Sequence, residues 1–206
     1  MFGQPSSGIA NNTNSALQLA TGDYCVFLDH DDLLAEHALY EVASAVMENP
    51  ALKLVYSDED KIDSTGERVD PHFKPDWNPD LLLAQNYICH LVALRSDVIK
   101  QVGGCRGGFD GAQDHDLLLR VMEIVSPEEV LHIEKILYHW RMAEGSTSAT
   151  ASAKTYTTDS GVAAIDDYLN RIGRSATVES GKYPNTYRVR WALPAQAPKV
   201  LSLIHI

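Results

Sequence analysis

Cysteine is scarce and long apolar runs are absent, and both absences narrow the class of protein. The three cysteines form no CxxC pair, so we expect buried, inert thiols and a reducing compartment. No stretch approaches 18 consecutive apolar residues, so no segment is predicted to cross a membrane. The amino-terminal residues have neither a basic region nor an apolar core, which argues against a signal peptide.

Positive charge is also in short supply. The chain has 17 Lys and Arg against 28 Asp and Glu, a net charge of −11 with no basic run. A nucleic-acid partner is therefore not expected. An anionic ligand would need a cation or locally placed basic side chains, because the overall field repels it. The 206 residues, 45% of them hydrophobic, suit one globular domain or one domain with an appendage.

The most informative stretch is an apolar run that ends in acids. Residues 24–28 are all aromatic or apolar, and Asp29, Asp31 and Asp32 follow. The run predicts a buried strand of a parallel sheet, and the apolar spacing over residues 33–47 predicts a helix after it. The acids then lie at the carboxyl end of the strand, where open α/β sheets bind their ligands.

These crowded acids predict a metal site. Two like charges about 4 Å apart repel by roughly 4 kcal/mol at an effective dielectric constant near 20. A divalent cation relieves this repulsion, and oxygen ligands suit magnesium or manganese. The alternative is that Asp31 or Asp32 only caps the following helix. One acid would be enough for a cap, so we favour the metal site.

Two later positions are candidates for the same site. Asp114 precedes a predicted helix over residues 117–125, where the helix dipole favours an anion. It is either a general base for a substrate hydroxyl or the N-cap of that helix. His139 follows a predicted strand over residues 130–137. It is either a ligand that would shift the metal preference toward manganese or an ordinary hydrogen-bonded residue.

Other polar residues receive structural predictions. Residues 58–60, after a predicted strand at 52–56, are expected in a solvated loop, with contact to an acceptor as the alternative. Residues 63–80 are predicted to be a long loop, in which Trp77 either stacks on a sugar ring or covers the next helix. The remaining histidines lack ligand-like spacing and are predicted to be structural: His37, His72, His90, His115, His132 and His205.

Six blocks of residues stand out along the chain: Gly8–Ala10 with Thr13–Asn14, Phe27–Asp32, Tyr56–Lys61, Lys74–Trp77, Gly111–Leu117 and Tyr138–Arg141. Together and in this order, they resemble family 2 glycosyltransferases, particularly their bacterial rhamnosyltransferase-like members. The resemblance implies an α/β protein with the GT-A (Rossmann-like) nucleotide-diphospho-sugar transferase fold, incomplete at the amino end. It also implies a cytoplasmic location, with association at the inner face of the membrane as an alternative.

The resemblance further implies an activity and roles for residues. It implies metal-dependent, inverting transfer from a UDP- or dTDP-linked sugar to a glycan or lipid-linked acceptor of the cell envelope. Asn14, Asp29 and Asp31 would bind the donor, and Asp31 with His139 would hold Mn²⁺ or Mg²⁺. Asp114 would be the base that deprotonates the acceptor.

The sequence departs from the family at its amino end. Only 28 residues precede Asp29, and none of them forms the strand–helix–strand unit that holds the nucleoside. We therefore expect residues 1–150 to form a partial catalytic domain that is poorly soluble and inactive alone. Residues 151–195 are predicted to add a helix and a hairpin, and residues 196–206 to begin another domain or to be a non-native tail.

Two alternatives to this activity remain. The apolar strand followed by Asp29 and Asp31 also resembles haloacid-dehalogenase-type phosphatases, with a nucleophile and an acid/base, although the residues after Asp31 fit poorly. The second alternative is a non-catalytic remnant that binds a glycan or a partner chain. Retention of Asp31, Asp114 and His139 argues against the second alternative, and the missing front half argues for it.

Overall fold

The computed structural model describes residues 8–142 and 151–196, with side chains for all of these except 151–155. A mixed sheet lies at the centre, with helices on both sides and a separate hairpin. The helices are α1 (Ile9–Leu17), α2 (Ala38–Glu48), α3 (Pro79–Ala84), α4 (Ser96–Val102), α5 (Gln113–Met122) and α6 (Ala151–Arg171). The strands are β1 (Tyr24–Phe27), β2 (Leu33–Leu34), β3 (Leu54–Ile62), β4 (Arg68–His72), β5 (Val92–Arg95), β6 (Val130–Arg141), β7 (Ala176–Ser180) and β8 (Tyr187–Trp191).

The main sheet is mixed, and this corrects the prediction for the first strand. Its order is β1-β5-β3-β6-β2, with β4 paired to β3. Within the described chain, β3 and β6 form its parallel pair, whereas β1 pairs antiparallel with β5. Strand β1 is also half-buried. A short apolar run fits either strand direction, because the direction is set by the partner that the tertiary fold supplies.

The predicted helix over residues 33–47 begins later than expected. Leu33 and Leu34 form β2, which pairs with His139 and Tyr138 of β6, and the helix starts at Ala38. The step of four from Leu34 to Ala38 fits a helical period, but β6 offers Leu34 a strand partner instead. Tertiary pairing thus overrides the local pattern at the start of this helix.

Strand β3 extends through acids that were predicted to lie in a solvated loop. Asp58, Glu59 and Asp60 are inside the strand and only 3%, 6% and 3% exposed, so that prediction is wrong. The predicted loop over residues 63–80 contains β4, which returns along the end of β3. Strand β6 likewise runs on to Arg141, so His139 lies within the strand and not after it.

The two faces of the sheet are covered differently. Helix α2 covers one face, with Ala38 and Val42 buried against Val55 and Leu137. The larger core on the other side joins the sheet to α3, α5 and α6 and includes the fully buried Tyr56. None of the helices in the described ranges is long and apolar enough to span a bilayer.

The carboxyl-terminal elements follow the sequence prediction. Strands β7 and β8 form an antiparallel hairpin in which Val178 lies opposite Val189. Helix α6 and the hairpin belong to the larger core through Ile165, Leu169 and Tyr187. The boundary at residue 150 stays a prediction, and residues 197–206 of the predicted tail lie outside the described residues.

Gly161 allows α6 to approach β8 closely, and this predicts a destabilising substitution. A Cβ atom at Gly161 would lie 1.8 Å from the hydroxyl oxygen of Tyr187 and 2.3 Å from its ring. Tyr187 is buried and cannot easily move aside. We expect Gly161→Ala to lower the free energy of unfolding by about 1–3 kcal/mol, as overpacking does, although Ala is the better helix former.

Urea unfolding measures this difference, with Gly107→Ala as the control. A Cβ atom at Gly107 would meet no heavy atom within 4 Å, so its stability should change little. Equal effects of the two substitutions would contradict the close packing of α6 on β8.

Candidate active site

A tight turn after β1 places the first acids, and Asp32 anchors it. The Asp32 N–H donates to the Asp29 carbonyl at 3.2 Å. The buried Asp32 carboxylate accepts from the Tyr138 hydroxyl at 2.5 Å and from the Arg141 N–H at 2.8 Å. Burial, with a smaller effect from Asp32, raises the pKa of Tyr138, so its hydroxyl stays a donor. Asp32 therefore fastens the turn to β6.

The other two acids of the turn face outward. Asp29 is exposed and Asp31 half-exposed. The backbone of each is held by β6: the Asp29 N–H donates to Tyr138 at 3.2 Å, and the Asp31 carbonyl accepts from Arg141 Nε at 2.7 Å. The Asp31 carboxylate lies 3.6 Å from His30. Their backbones are fixed while their carboxylates remain accessible, as ligand-binding residues require.

His90 joins this turn from a distant part of the chain. Its Nε2 lies 4.0 Å from Asp29 Oδ2, and its ring stacks on Tyr138 with centroids 4.6 Å apart. Among the described residues, one ligand atom each from Asp29, Asp32 and His90 lie within 4.8 Å of one another. The prediction of a purely structural His90 missed this proximity. No spacing signals it, because His90 reaches the turn through β5, which pairs with β1.

Asp114 lies at the start of α5, as predicted. Ala112 occupies the N-cap position and Asp114 is the second residue of the helix, so it does not cap the helix. Asn86 Nδ2 donates to Asp114 Oδ2 at 2.9 Å. Desolvation raises the pKa of Asp29; His90 opposes this shift, and the charges of Asp32, Asp114 and Asp31 add to it.

His139 is buried and bound to a carboxylate. Its Nδ1 lies 2.6 Å from Asp60 Oδ1, and Arg68 Nε donates to Asp60 Oδ2 at 2.6 Å. Histidines that bind metal through one nitrogen commonly donate the other N–H to a carboxylate. His139 has this partner, but it lies outside the group of Asp29, Asp32 and His90. The structure does not place Asp31 or His139 in that group, and their metal role stays a prediction.

Asn14 and Trp77 make structural contacts. Both polar atoms of the Asn14 side chain bind the backbone of Cys105, at 2.7 and 2.8 Å. Asn14 thus holds the loop before α5, and its contact with a donor stays a prediction. Trp77 is half-buried and packs against the larger core, which agrees with the alternative that it covers neighbouring structure.

A buried ion pair supports the segment that presents His90, and sequence reasoning missed it. The Lys74 side chain is 0% exposed; its Nζ donates to Glu59 at 3.2 Å, to the Ile88 carbonyl at 2.5 Å and to the His90 carbonyl. Glu59 also accepts the His90 N–H at 3.1 Å. Burial lowers the pKa of Lys74. For Glu59, hydrogen bonds and the Lys74 charge outweigh burial and lower the pKa.

Solved structures with the same architecture identify the fold. Staphylococcus aureus TarS 1-349 matches with a TM-score of 0.53 and 16% identity, covering 82% of this chain and 52% of that one. Mannosyltransferase PcManGT from Pyrobaculum calidifontis, in complex with GDP-Man and Mn²⁺, matches with a TM-score of 0.57 and 16% identity, covering 81% and 45%. The fold is that of the GT-A glycosyltransferases.

Sequence comparison identifies the family. The sequence model of Glycosyl transferase family 2 matches residues 2–103. The chain is 42% identical over 205 residues to uncharacterized protein y4gI of Sinorhizobium fredii, covering 99% of this chain and 22% of that protein. It is 42% identical over 195 residues to O-antigen biosynthesis protein RfbC of Myxococcus xanthus, covering 95% and 15%. The chain belongs to glycosyltransferase family 2. It spans about a fifth or less of the length of these two relatives.

Proposed function

We propose that this chain forms the catalytic site of a metal-dependent, inverting glycosyltransferase of cell-surface polysaccharide assembly. The observation behind it is that one segment, residues 86–90, reaches both parts of the site: Asn86 contacts Asp114 on α5, and His90 lies 4.0 Å from the accessible Asp29 after β1. The likeness to RfbC, named for O-antigen biosynthesis, supports a polysaccharide acceptor. The proposed donor is a UDP- or dTDP-linked sugar, and the proposed location is cytoplasmic, at the inner face of the membrane.

The donor set fits a divalent cation. Asp29 and Asp31 offer accessible carboxylate oxygens. His90 offers an imidazole nitrogen close to Asp29, and His139 offers one on a ring whose other nitrogen contacts the Asp60 carboxylate. Mixed carboxylate and imidazole donors suit Mn²⁺, the ion present with PcManGT. When bound, such an ion neutralises charge on the departing diphosphate. A chain of net charge −11 would otherwise repel that group.

Asp114 would supply the base. Its carboxylate accepts the proton of the acceptor hydroxyl while that oxygen forms a bond to the anomeric carbon of the donor. The bond from the same carbon to the diphosphate breaks as the new one forms, so the configuration inverts. The rigid start of α5 keeps the carboxylate at one place during this step, as general-base catalysis requires.

Metal binding tests the assignment of Asp31. We expect Asp31→Asn to weaken the affinity for Mn²⁺ in the presence of UDP or dTDP by at least about 10-fold, since even indirect ligand contacts contribute that much. Calorimetric titration of Mn²⁺ into the protein with each nucleotide measures it. His90→Gln and His139→Gln, titrated in the same way, identify which imidazole contributes.

Asp70→Asn is the matched control for this titration. Asp70 is exposed and pairs with Lys61 on the surface, so its replacement should leave the affinity unchanged. If Asp31→Asn and Asp70→Asn bind Mn²⁺ equally well, Asp31 is not a ligand.

A further inference from the structure

The segment between α3 and β5 touches both parts of the proposed site. Near its start, Asn86 contacts Asp114; at its end, His90 approaches Asp29. The proposed base and the acids after β1 are therefore connected through five residues of continuous backbone. Asn86 has no role in the activity described above.

Two contacts fix the orientation of the Asn86 amide. Its Nδ2 donates to Asp114 Oδ2 at 2.9 Å, and its Oδ1 accepts from the Cys89 N–H at 3.3 Å. A flipped amide would place oxygen against a carboxylate and an NH₂ group against an N–H. Because both flipped contacts are repulsive, the surroundings select one orientation.

The segment that presents Asn86 is itself held in place. The Asn86 carbonyl accepts from Cys89 Sγ at 3.0 Å. The next residue, Tyr87, is 1% exposed, and its hydroxyl accepts from the Asn78 N–H at 2.9 Å. Lys74 binds the carbonyl of Ile88, the residue after Tyr87. The backbone that follows Asn86 is thus held by a buried side chain and a buried cation.

The contact leaves one oxygen of Asp114 available. In the part of the chain that the structure describes, Asp114 Oδ2 has the Asn86 contact, and no hydrogen bond to Oδ1 is formed. The terminal torsion of an aspartate is broad and roughly two-fold, so an unheld carboxylate would rotate. A hydrogen bond to an ionised group is stronger than one between neutral groups, which lets Asn86 limit this rotation.

We propose that Asn86 is a positioning residue for Asp114: it holds Oδ2 and leaves Oδ1 to accept the proton of the acceptor hydroxyl. This inference rests on the proposed function of Asp114 as the base. Asn86 touches neither substrate nor reacting atoms in this role. Its effect on the reaction passes entirely through the orientation of the carboxylate.

The test is a double-mutant cycle in the full-length gene product. Asn86→Asp keeps the size and the acceptor for Cys89, but it replaces the donor facing Asp114 by a carboxylate oxygen. We expect kcat for sugar transfer to fall about 100-fold, the typical effect of a small misplacement in a catalytic site, with KM for donor and acceptor changed less than about 3-fold because binding groups are untouched. In the Asp114→Asn background, the same substitution should change kcat less than about 2-fold, because no base remains to be positioned.

Asn78→Asp is the matched control. Asn78 caps α3 through its side-chain oxygen, and Asp caps about as well, so transfer should be unaffected. If Asn86→Asp fails to fold, Asn86→Ala, which introduces no charge, takes its place in the cycle. Full kcat in the folded variant, or an equal loss in both backgrounds, overturns the positioning role. Full transfer by the Asp114→Asn single variant overturns the proposed base itself. Failure of the positioning role and failure of the base assignment are thereby distinguished.

Discussion

Replacing Asp114 by Asn is expected to lower the rate of sugar transfer by about 100- to 10,000-fold, the usual cost of losing a general base. The substitution keeps the size of the side chain at the second position of α5 and still offers an oxygen to Asn86. What disappears is the group that accepts a proton. Affinities for Mn²⁺ and for the donor should change little, because other residues make those contacts.

Initial rates with a panel of UDP-, dTDP- and GDP-linked sugars measure this effect, and calorimetry measures donor binding. Asp166→Asn is a suitable control, since Asp166 is exposed on α6 and should tolerate the change. Retention of full transfer by Asp114→Asn would remove Asp114 from the base role. Loss of donor binding together with transfer would indicate a binding role instead.

Local signals predicted the elements that have their own starts and stops. Asn78 and Pro79 mark the start of α3, and the Asn78 oxygen accepts the Leu81 N–H at 2.9 Å as a cap should. The hairpin of β7 and β8 follows from two β-prone runs around a turn. Such elements depend on residues within a few positions of one another, so the sequence displays their causes directly.

Tertiary partners decided the remainder of the fold. Acids inside β3 look like a solvated loop in the sequence, yet Asp58 receives a hydrogen bond from His132 at 2.8 Å and Asp60 one from Arg68. These partners lie on other strands or beyond a turn. A buried acid is stable only when it is paired, and the pairing residues cannot be selected from spacing alone.

The residues of the candidate site likewise fall into two groups, those that the sequence alone indicates and those that only the tertiary structure brings together. Asp29, Asp31 and Asp114 follow an apolar run or open a helix, so the sequence marks them as candidate site residues, and the resemblance to the family implied the roles proposed for them. The family assignment also replaces the phosphatase alternative. His90 and Asn86 lie in an unremarkable stretch of sequence. His90 becomes relevant because β5 pairs with β1, and Asn86 because α5 brings Asp114 to it. The support from Lys74 was equally hidden, since its contacts come from two segments distant from it in sequence, β3 and the residues before β5.

Replacing Lys74 by Met is expected to lower the free energy of unfolding by about 3–5 kcal/mol, the usual cost of removing one partner of a buried ion pair. Glu59, whose side chain is 8% exposed, would lose its cation, and the carbonyls of Ile88 and His90 would lose a donor. Lys61→Met is the control: its pair with Asp70 has side chains 39% and 65% exposed, and exposed pairs contribute only about 0–1 kcal/mol.

Urea unfolding of the two single variants and of the double variant Lys74→Met/Glu59→Gln distinguishes the cost of the unpaired charge on Glu59 from the cost of altered packing. Because an unpaired buried charge costs more than a neutral amide, the double variant should recover part of the stability that Lys74→Met loses. A loss no larger than that of Lys61→Met would show that the pair does not support the fold. Since total stabilities are about 5–15 kcal/mol, the expected loss would also loosen the segment from Asn86 to His90, so metal affinity and transfer should decline with it.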